Sequence, residues 1–297
     1  MAPFLESLAR DGLAAATARG YCYDLRHFLG WYGARHDCPF APGMLTEQVL
    51  VAYRRYMIAA DQRPATINRR LEALRRLGRW ACGIGDLDAD TMGHVPPMRT
   101  IRDRRPDSLT ESETQALLRA AGLSSHGLGA RNYAMVQLIL QTGLRVGELA
   151  ALQLSDVTVN ARSGSIRVAG GTGLRTREVP LNAIGRRALS QYLADRPADS
   201  RLSALFLSSR ETVMEVRTIQ AAIASLVRRA HLKRIPVTAN TLRHTFAVNY
   251  LRDNPGQLAD LSELLGHESL ETINIYKQRS GDDLPADSEN PYSNAAR

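Results

Sequence analysis

Apolar positions recur at helical spacing along most of the chain. Between Ala16 and Tyr32, the residues Tyr21, Leu25, Phe28 and Tyr32 fall at i, i+4, i+7 and i+11, which predicts an amphipathic helix. Thr46 to Ile58 reads as a second helix, and Pro64-Ala65-Thr66 starts a third that runs through Ile67, Leu71 and Leu74 to Trp80. From Gly83 to Asp107 the period dissolves into acidic, Pro96-Pro97 and arginine-rich stretches, as a linker would. Helical patterning resumes with Ser108-Leu109-Thr110-Glu111-Ser112-Glu113, a helix start with Thr110 or Ser108 as cap, and with the strongly apolar run Tyr133 to Gln141. Ser165 to Ala169 and Arg175 to Val179 flank Gly170-Gly171-Thr172-Gly173 and predict a β-hairpin. Everything from Ile184 onward reads as helix, apart from a polar tail. The expected fold is mainly α: a helical domain over 1–85, a linker over 86–107, an α-rich domain with a small β-hairpin over 108–281, and a tail over 282–297.

Composition narrows what such a chain does. With 297 residues, 44% of them hydrophobic, it has material for two cores. No apolar run approaches the ~20 residues of a membrane span, and no signal-peptide layout opens the chain, so an intracellular protein with no membrane partner is expected. Cys22, Cys38 and Cys82 are odd in number and widely spaced, which argues against a disulfide framework and against a zinc site. The net charge is +8, and of the 38 basic side chains only Lys233 and Lys277 are lysines. Arginine forks onto phosphates, so the excess favours a polyanionic partner, although a solvated charged surface has the same composition. On the third predicted helix Arg69, Arg76 and Arg79 lie opposite the apolar stripe, with Arg70 and Arg75 flanking it. Such a face either grips a DNA backbone or is simply solvated.

Four segments carry candidate chemistry. In Leu265-Gly266-His267 to Tyr276, nine residues advance a continuous helix by roughly 900°, which would point His267 and Tyr276 in opposite directions. A break is therefore expected, with Gly266 ending one helix and Ser269 capping the next. In Thr142-Gly143-Leu144-Arg145-Val146-Gly147-Glu148-Leu149, Gly143 permits a turn that sets Arg145 at the mouth of a helix, and Glu148 is one turn on, close enough to orient the guanidinium. In Asn240-Thr241-Leu242-Arg243-His244-Thr245-Phe246-Ala247, Asn240 and Arg243 share a face. The fourth segment is the hairpin, from which Arg175 and Arg177 are expected to reach over a bound backbone. Two arginines, a histidine and a tyrosine suit transesterification at a phosphodiester: a phenol attacks, and guanidiniums neutralise the charge of the five-coordinate intermediate without a metal or other cofactor.

The chain resembles the tyrosine recombinases, the phage integrase and Xer-type family, from about Phe4 to Tyr276. The resemblance is carried by TGLRVGEL around Arg145, LRHTFA around Arg243 and LLGHESLETINIY ending at Tyr276. It implies a DNA breaking-rejoining fold with a helical core-type DNA-binding domain before the catalytic domain. Arg145 and Arg243 would clamp the scissile phosphate, His267 would hydrogen-bond it, and Tyr276 would form a 3′-phosphotyrosyl link. The DNA-contacting residues would be Arg69, Arg70, Arg75, Arg76, Arg79 and Arg177. Double-stranded DNA attachment sites, a DNA-dependent homotetramer on two sites, a Holliday junction and an accessory directionality factor follow as expected partners and intermediates, in the cytoplasm of a bacterial host. Because the core-binding pattern begins near the N-terminus, a compact form without an arm-binding domain is expected.

Two positions depart from the family pattern. Thr172 stands where a catalytic lysine is usual, leaving Arg175 as the nearest cation, and Asn240 stands where a histidine is usual. An arginine stabilises charge but is a poor proton donor, and an asparagine amide donates a hydrogen bond but cannot act as a base. The functional expectation is a site-specific recombinase. The alternatives are a weakened DNA-binding relative, a helix-turn-helix regulator without chemistry, and a type IB topoisomerase-like enzyme.

Overall fold

The computed structural model describes residues 2–11, 13, 15–36, 38–87, 95–99, 107–124, 128–170, 176–197 and 202–266. The chain divides into two compact units, Met1–Arg102 and Asp103–Arg297.

The first unit is built from α1 (Ala2–Arg10), α2 (Ala15–Gly33), α3 (Glu47–Ala59) and α4 (Pro64–Gly83). Thr46 caps α3 by accepting from the Val49 N–H, and Pro64 starts α4, where a missing N–H costs nothing. The predicted stripes are buried: Leu25, Phe28 and Tyr32 of α2 pack with Tyr53, Ile67, Leu71 and Leu74. Phe28 meets the rings of Phe40 and Tyr53 edge-on at 5.0 and 5.1 Å, arrangements that aromatic quadrupoles favour. Helix α1, which the spacing did not predict, adds Phe4 and Leu8 to this core.

The second unit begins with α5 (Glu111–Gly122), whose Thr110 and Glu113 form a reciprocal capping box. Next comes α6 (Gly129–Thr142), buried along nearly its whole length and packed against α5. After α7 (Val146–Ala151) a three-stranded antiparallel sheet follows in the order β1 (Val157–Val159), β2 (Gly164–Val168), β3 (Arg177–Pro180). Ile166 pairs with Val157 on one side and Val179 on the other, and the sheet's inner face joins the core through Ile166, Val168 and Val179. The predicted hairpin is therefore β2–β3, extended by a strand too short to show a period of its own. Among the described residues the unit continues with helices α8 (Ala183–Asp195), α9 (Val216–Arg229), α10 (Ala239–Asp253) and α11 (Leu258–Leu265). The C-terminal half is less uniformly helical than its sequence suggests. Between α8 and α9 the chain makes isolated bridges, Gln153 with Ala204 and Leu207 with Val213, and Tyr192 and Arg196 hold this stretch through the carbonyls of Leu205 and Leu202. No described helix is long and apolar enough to cross a membrane.

Candidate active site

The ends of α6 and α11, the start of α7, the buried face of α10 and strand β3 meet around Glu148 and the guanidiniums of Arg145, Arg177 and Arg243. α6 stops at Gly143, which adopts the left-handed conformation (φ 64°) and donates its N–H to the Ile139 carbonyl. A side chain would force its neighbours aside here: a Cβ would lie 2.4 Å from Phe246 Cδ1 and 2.6 Å from Leu265 Cδ2. The turn points the Gly143 carbonyl at Arg243, whose Nη1 donates to it at 2.6 Å. It also delivers Arg145 to the start of α7, where its backbone N–H donates to Glu148 Oε2 at 2.7 Å and its Nη1 to Oε1 at 3.0 Å. The expected orientation of Arg145 by Glu148 is thus present.

The C-terminal end of α11 supplies the other acceptors. Gly266 ends this helix in the left-handed conformation (φ 61°), as its sequence position predicts. Its last carbonyls point outward and carry the negative end of the helix dipole. Arg145 Nη1 and Arg243 Nη2 both donate to the Leu265 carbonyl, at 3.2 and 2.8 Å, and Arg145 Nη2 donates to that of Gly266 at 3.2 Å. Two arginines 98 positions apart in the sequence thus share one acceptor, two residues before His267. Arg243 is only 5% exposed, held on the buried face of α10, whereas the Arg145 side chain is 36% exposed. Arg145 presents its charge to solvent, and Arg243 supports from below.

Arg177 joins the same cluster. Its Nη1 and Nη2 fork onto Glu148 Oε1 and Oε2, both at 2.9 Å, and its Nε donates to the Leu264 carbonyl at 2.8 Å. Arg177 does not reach outward as the hairpin pattern suggests. Side chains alternate along β3, so Arg177 shares the inner face with Val179, where it meets the partly buried Glu148 carboxylate. Arg243 Nη1 also lies 3.9 Å from Glu148 Oε2. Burial opposes ionisation of Glu148, but the Arg177 fork, the Arg145 N–H and the charges of both arginines outweigh it and hold the carboxyl below the usual glutamate range.

Asn240 is exposed on the first turn of α10, one turn before Arg243 and on the same side of the helix. Thr172, Arg175, His267 and Tyr276 lie outside the described residues. No group of three or more His, Cys, Asp or Glu among the described residues is placed to hold a metal. A cavity of about 530 Å³ between α5, α6 and α8 is not lined by any of the three arginines of this cluster.

In the first unit, each of the five α4 arginines has a partner within the unit. Arg69 Nη1 donates to Asp24 at 2.6 Å, Arg76 to Asp11 at 2.9 Å and Arg79 to Glu72 at 3.0 Å. Arg69 and Arg79 stay more than half exposed despite these pairs, so their guanidiniums remain open to a further anion. Arg70 and Arg75 are turned inward. Arg70 sits between Asp24, Gln62 and His27 Nε2, and Arg75 donates to the Val95 carbonyl at 2.6 Å. Asp24 is 2% exposed, and burial pushes its pKa up against the pull of the two arginines.

Comparison with known proteins agrees with this architecture. The phage integrase family model matches residues 107–281, and the phage integrase N-terminal SAM-like domain matches residues 2–83. The tyrosine recombinase XerC of Pelotomaculum thermopropionicum (strain DSM 13744 / JCM 10971 / SI) is 32% identical over 282 residues, covering 90% of this chain and 89% of the relative. The crystal structure of XerA recombinase superposes with a TM-score of 0.52 at 28% identity, over 92% of this chain and 91% of the other. That of a lambda integrase (75–356) dimer bound to a COC′ core site gives 0.71 at 19% identity, over 96% of both chains, and shows the shared fold. The chain belongs to the phage integrase family. Within it, the chain is a tyrosine site-specific recombinase.

Proposed function

We propose that the chain cuts and rejoins duplex DNA at specific attachment sites, with Tyr276 as nucleophile. The phenolic oxygen attacks the scissile phosphorus, a 3′-phosphotyrosyl ester forms, and the bond to the 5′-oxygen breaks to leave a 5′-hydroxyl. His267 or water takes the phenolic proton. Arg145 and Arg243 neutralise the non-bridging oxygens, with an Asn240 amide hydrogen bond beside them. At the place of the usual lysine, Thr172 has no comparable proton to give, so Arg175 stabilises the leaving oxygen electrostatically while water protonates it. The ester conserves the energy of the broken bond, and the 5′-hydroxyl of a partner strand reverses the attack, giving a Holliday junction and then recombinant duplexes.

The observation that carries this reading is the convergence of Arg145 and Arg243 on the Leu265 carbonyl, immediately before the segment that contains His267 and Tyr276. A regulator without chemistry has no use for two guanidiniums brought together there. The residues over 1–85 form the core-type DNA-binding domain in this reading, with Arg69, Arg76 and Arg79 facing phosphates and Arg70 and Arg75 bracing that face from within. The DNA complex of the lambda integrase neighbour supports duplex DNA as the partner. Four protomers assemble on two sites in the bacterial cell, the tail over 282–297 docking on a neighbour, and an accessory protein sets direction.

The test uses supercoiled plasmids carrying two candidate sites from DNA flanking the gene. Exchanged products and a Holliday junction are expected. Relaxation without exchange favours a topoisomerase, and binding without cleavage favours a regulator or a weakened relative. Arg175→Ala is expected to slow cleavage, and Thr172→Lys in that background to restore it; full activity of Arg175→Ala contradicts the role given to Arg175.

A further inference from the structure

Arg177 has no task in the reaction just described, yet it is among the most constrained charged side chains of the second unit. It opens β3 opposite Val168 and is 10% exposed. Its three donors go to two different elements: the fork to Glu148 of α7, and Nε to Leu264 of α11. The guanidinium also packs closely against the end of α11, since a Cβ on Gly266 would come within 2.7 Å of Arg177 Nη1. A planar group with donors on two edges meets a carboxylate and a carbonyl at once; a lysine ammonium cannot reproduce that fork. Glu148 in turn holds both the backbone and the side chain of Arg145.

We propose that Arg177 is a positioning residue for DNA cleavage, which fixes Glu148 against Arg145 and pins the end of α11, so that the phosphate-holding arginines and the chain leading to His267 and Tyr276 keep one frame of reference. This rests on the reading of Tyr276 given above. It assigns Arg177 a role through Glu148 and Leu264 rather than a contact with DNA. Reacting groups misplaced by about 1 Å lose roughly 100-fold in rate, so loosening this clamp lowers the cleavage step while leaving site binding almost untouched.

The experiment measures single-turnover cleavage of a nicked site, site affinity and its salt dependence for the full chain and for Arg177→Met, Arg177→Gln and Arg177→Lys. Every rate is taken at the same interval below each variant's own unfolding midpoint. Expected are a cleavage rate down about 100-fold for Arg177→Met, partial recovery for Arg177→Lys, which keeps charge without the fork, and an affinity within about threefold of the parent. The double variant Glu148→Gln/Arg177→Met is expected to cleave little more slowly than Arg177→Met alone, because both changes break one unit. If Arg177→Met does not fold, Arg177→Gln and Arg177→Lys carry the same comparison.

Cleavage at the parental rate in the folded variants overturns the proposal. So does weaker binding with a salt slope reduced by about one, the mark of a lost phosphate contact. Tyr276→Phe runs in parallel: an adduct surviving in that variant defeats the assignment of the nucleophile, whereas an inert Tyr276→Phe beside fully active Arg177 variants defeats only the role of Arg177.

Discussion

Replacing Glu148 with glutamine tests the electrostatic centre of the second unit. The substitution keeps the shape and one acceptor oxygen but removes the negative charge that three guanidiniums face, with Arg145 at 3.0 Å, Arg177 at 2.9 Å and Arg243 at 3.9 Å. The carboxylate is 13% exposed, so water replaces little of what is lost. Removing one partner of a buried pair costs about 3–5 kcal/mol, and the retained oxygen puts Glu148→Gln near the lower end. At roughly 2–4 °C per kcal/mol for a domain of this size, the midpoint of the second unit should fall by about 6–12 °C. The molecule carries its own control. Trp31 and Trp80, its two tryptophans, both lie in the first unit, so their fluorescence follows that unit while circular dichroism follows both. The expected result is a lowered dichroism transition with an unmoved fluorescence transition. The Glu148 pKa is depressed by folding, so the parental advantage is complete above the ordinary value of 4.5 and shrinks as the pH falls below it. A glutamine variant as stable as its parent at pH 7, or a difference that does not close in acid, refutes the reasoning.

Three further outcomes are expected. Gly143→Ala places a methyl against Phe246 and Leu265 at a left-handed position, and should lower stability by about 2–4 kcal/mol in urea titrations, combining backbone and overpacking costs; an unchanged midpoint contradicts the packing described. Glu113 accepts both arms of Arg234 and is held at a pKa of about 2, below its usual 4.5, so the stability it contributes is present above pH 4.5 and lost as the pH falls towards 2. Glu113→Gln should therefore be less stable than the parent at pH 7 and equal to it near pH 2, and a gap that is the same at both pH values goes against this. Under the proposed function, truncation after Gly281 should weaken tetramer assembly on paired sites more than binding to one site, as measured by gel shift; equal loss of both argues against tail docking.

Much of this architecture is legible in the residues. The stripes of α2, α3 and α4 are regular because each helix buries one face, and Thr46, Pro64, Thr110 and Gly266 mark ends by local chemistry that needs no knowledge of the rest of the chain. Arg145 and Glu148 are legible as a pair for the same reason, being three residues apart at a helix start. Strand β1 is not legible, since Val-Thr-Val is too short to establish a period and gains its place only by pairing with β2. The charge of Arg177 suggests an outward reach, whereas in β3 it alternates onto the inner face with Val179, and nothing local discloses that Glu148 lies opposite to receive it. The meeting of Arg145 with Arg243 at the end of α11 likewise depends on contacts spanning 120 and 22 residues, which the fold alone supplies.

The most direct measurement of the central claim maps the covalent bond itself. The full chain is incubated with a nicked attachment-site duplex, the adduct is digested, and the modified peptide and the DNA ends are identified by mass spectrometry and end-labelling. A nucleotide attached through a 3′-phosphate to Tyr276, with a free 5′-hydroxyl on the released strand and no adduct from Tyr276→Phe, is the predicted result. Attachment to any other residue, a 5′-linked adduct, or an adduct that persists in Tyr276→Phe contradicts it.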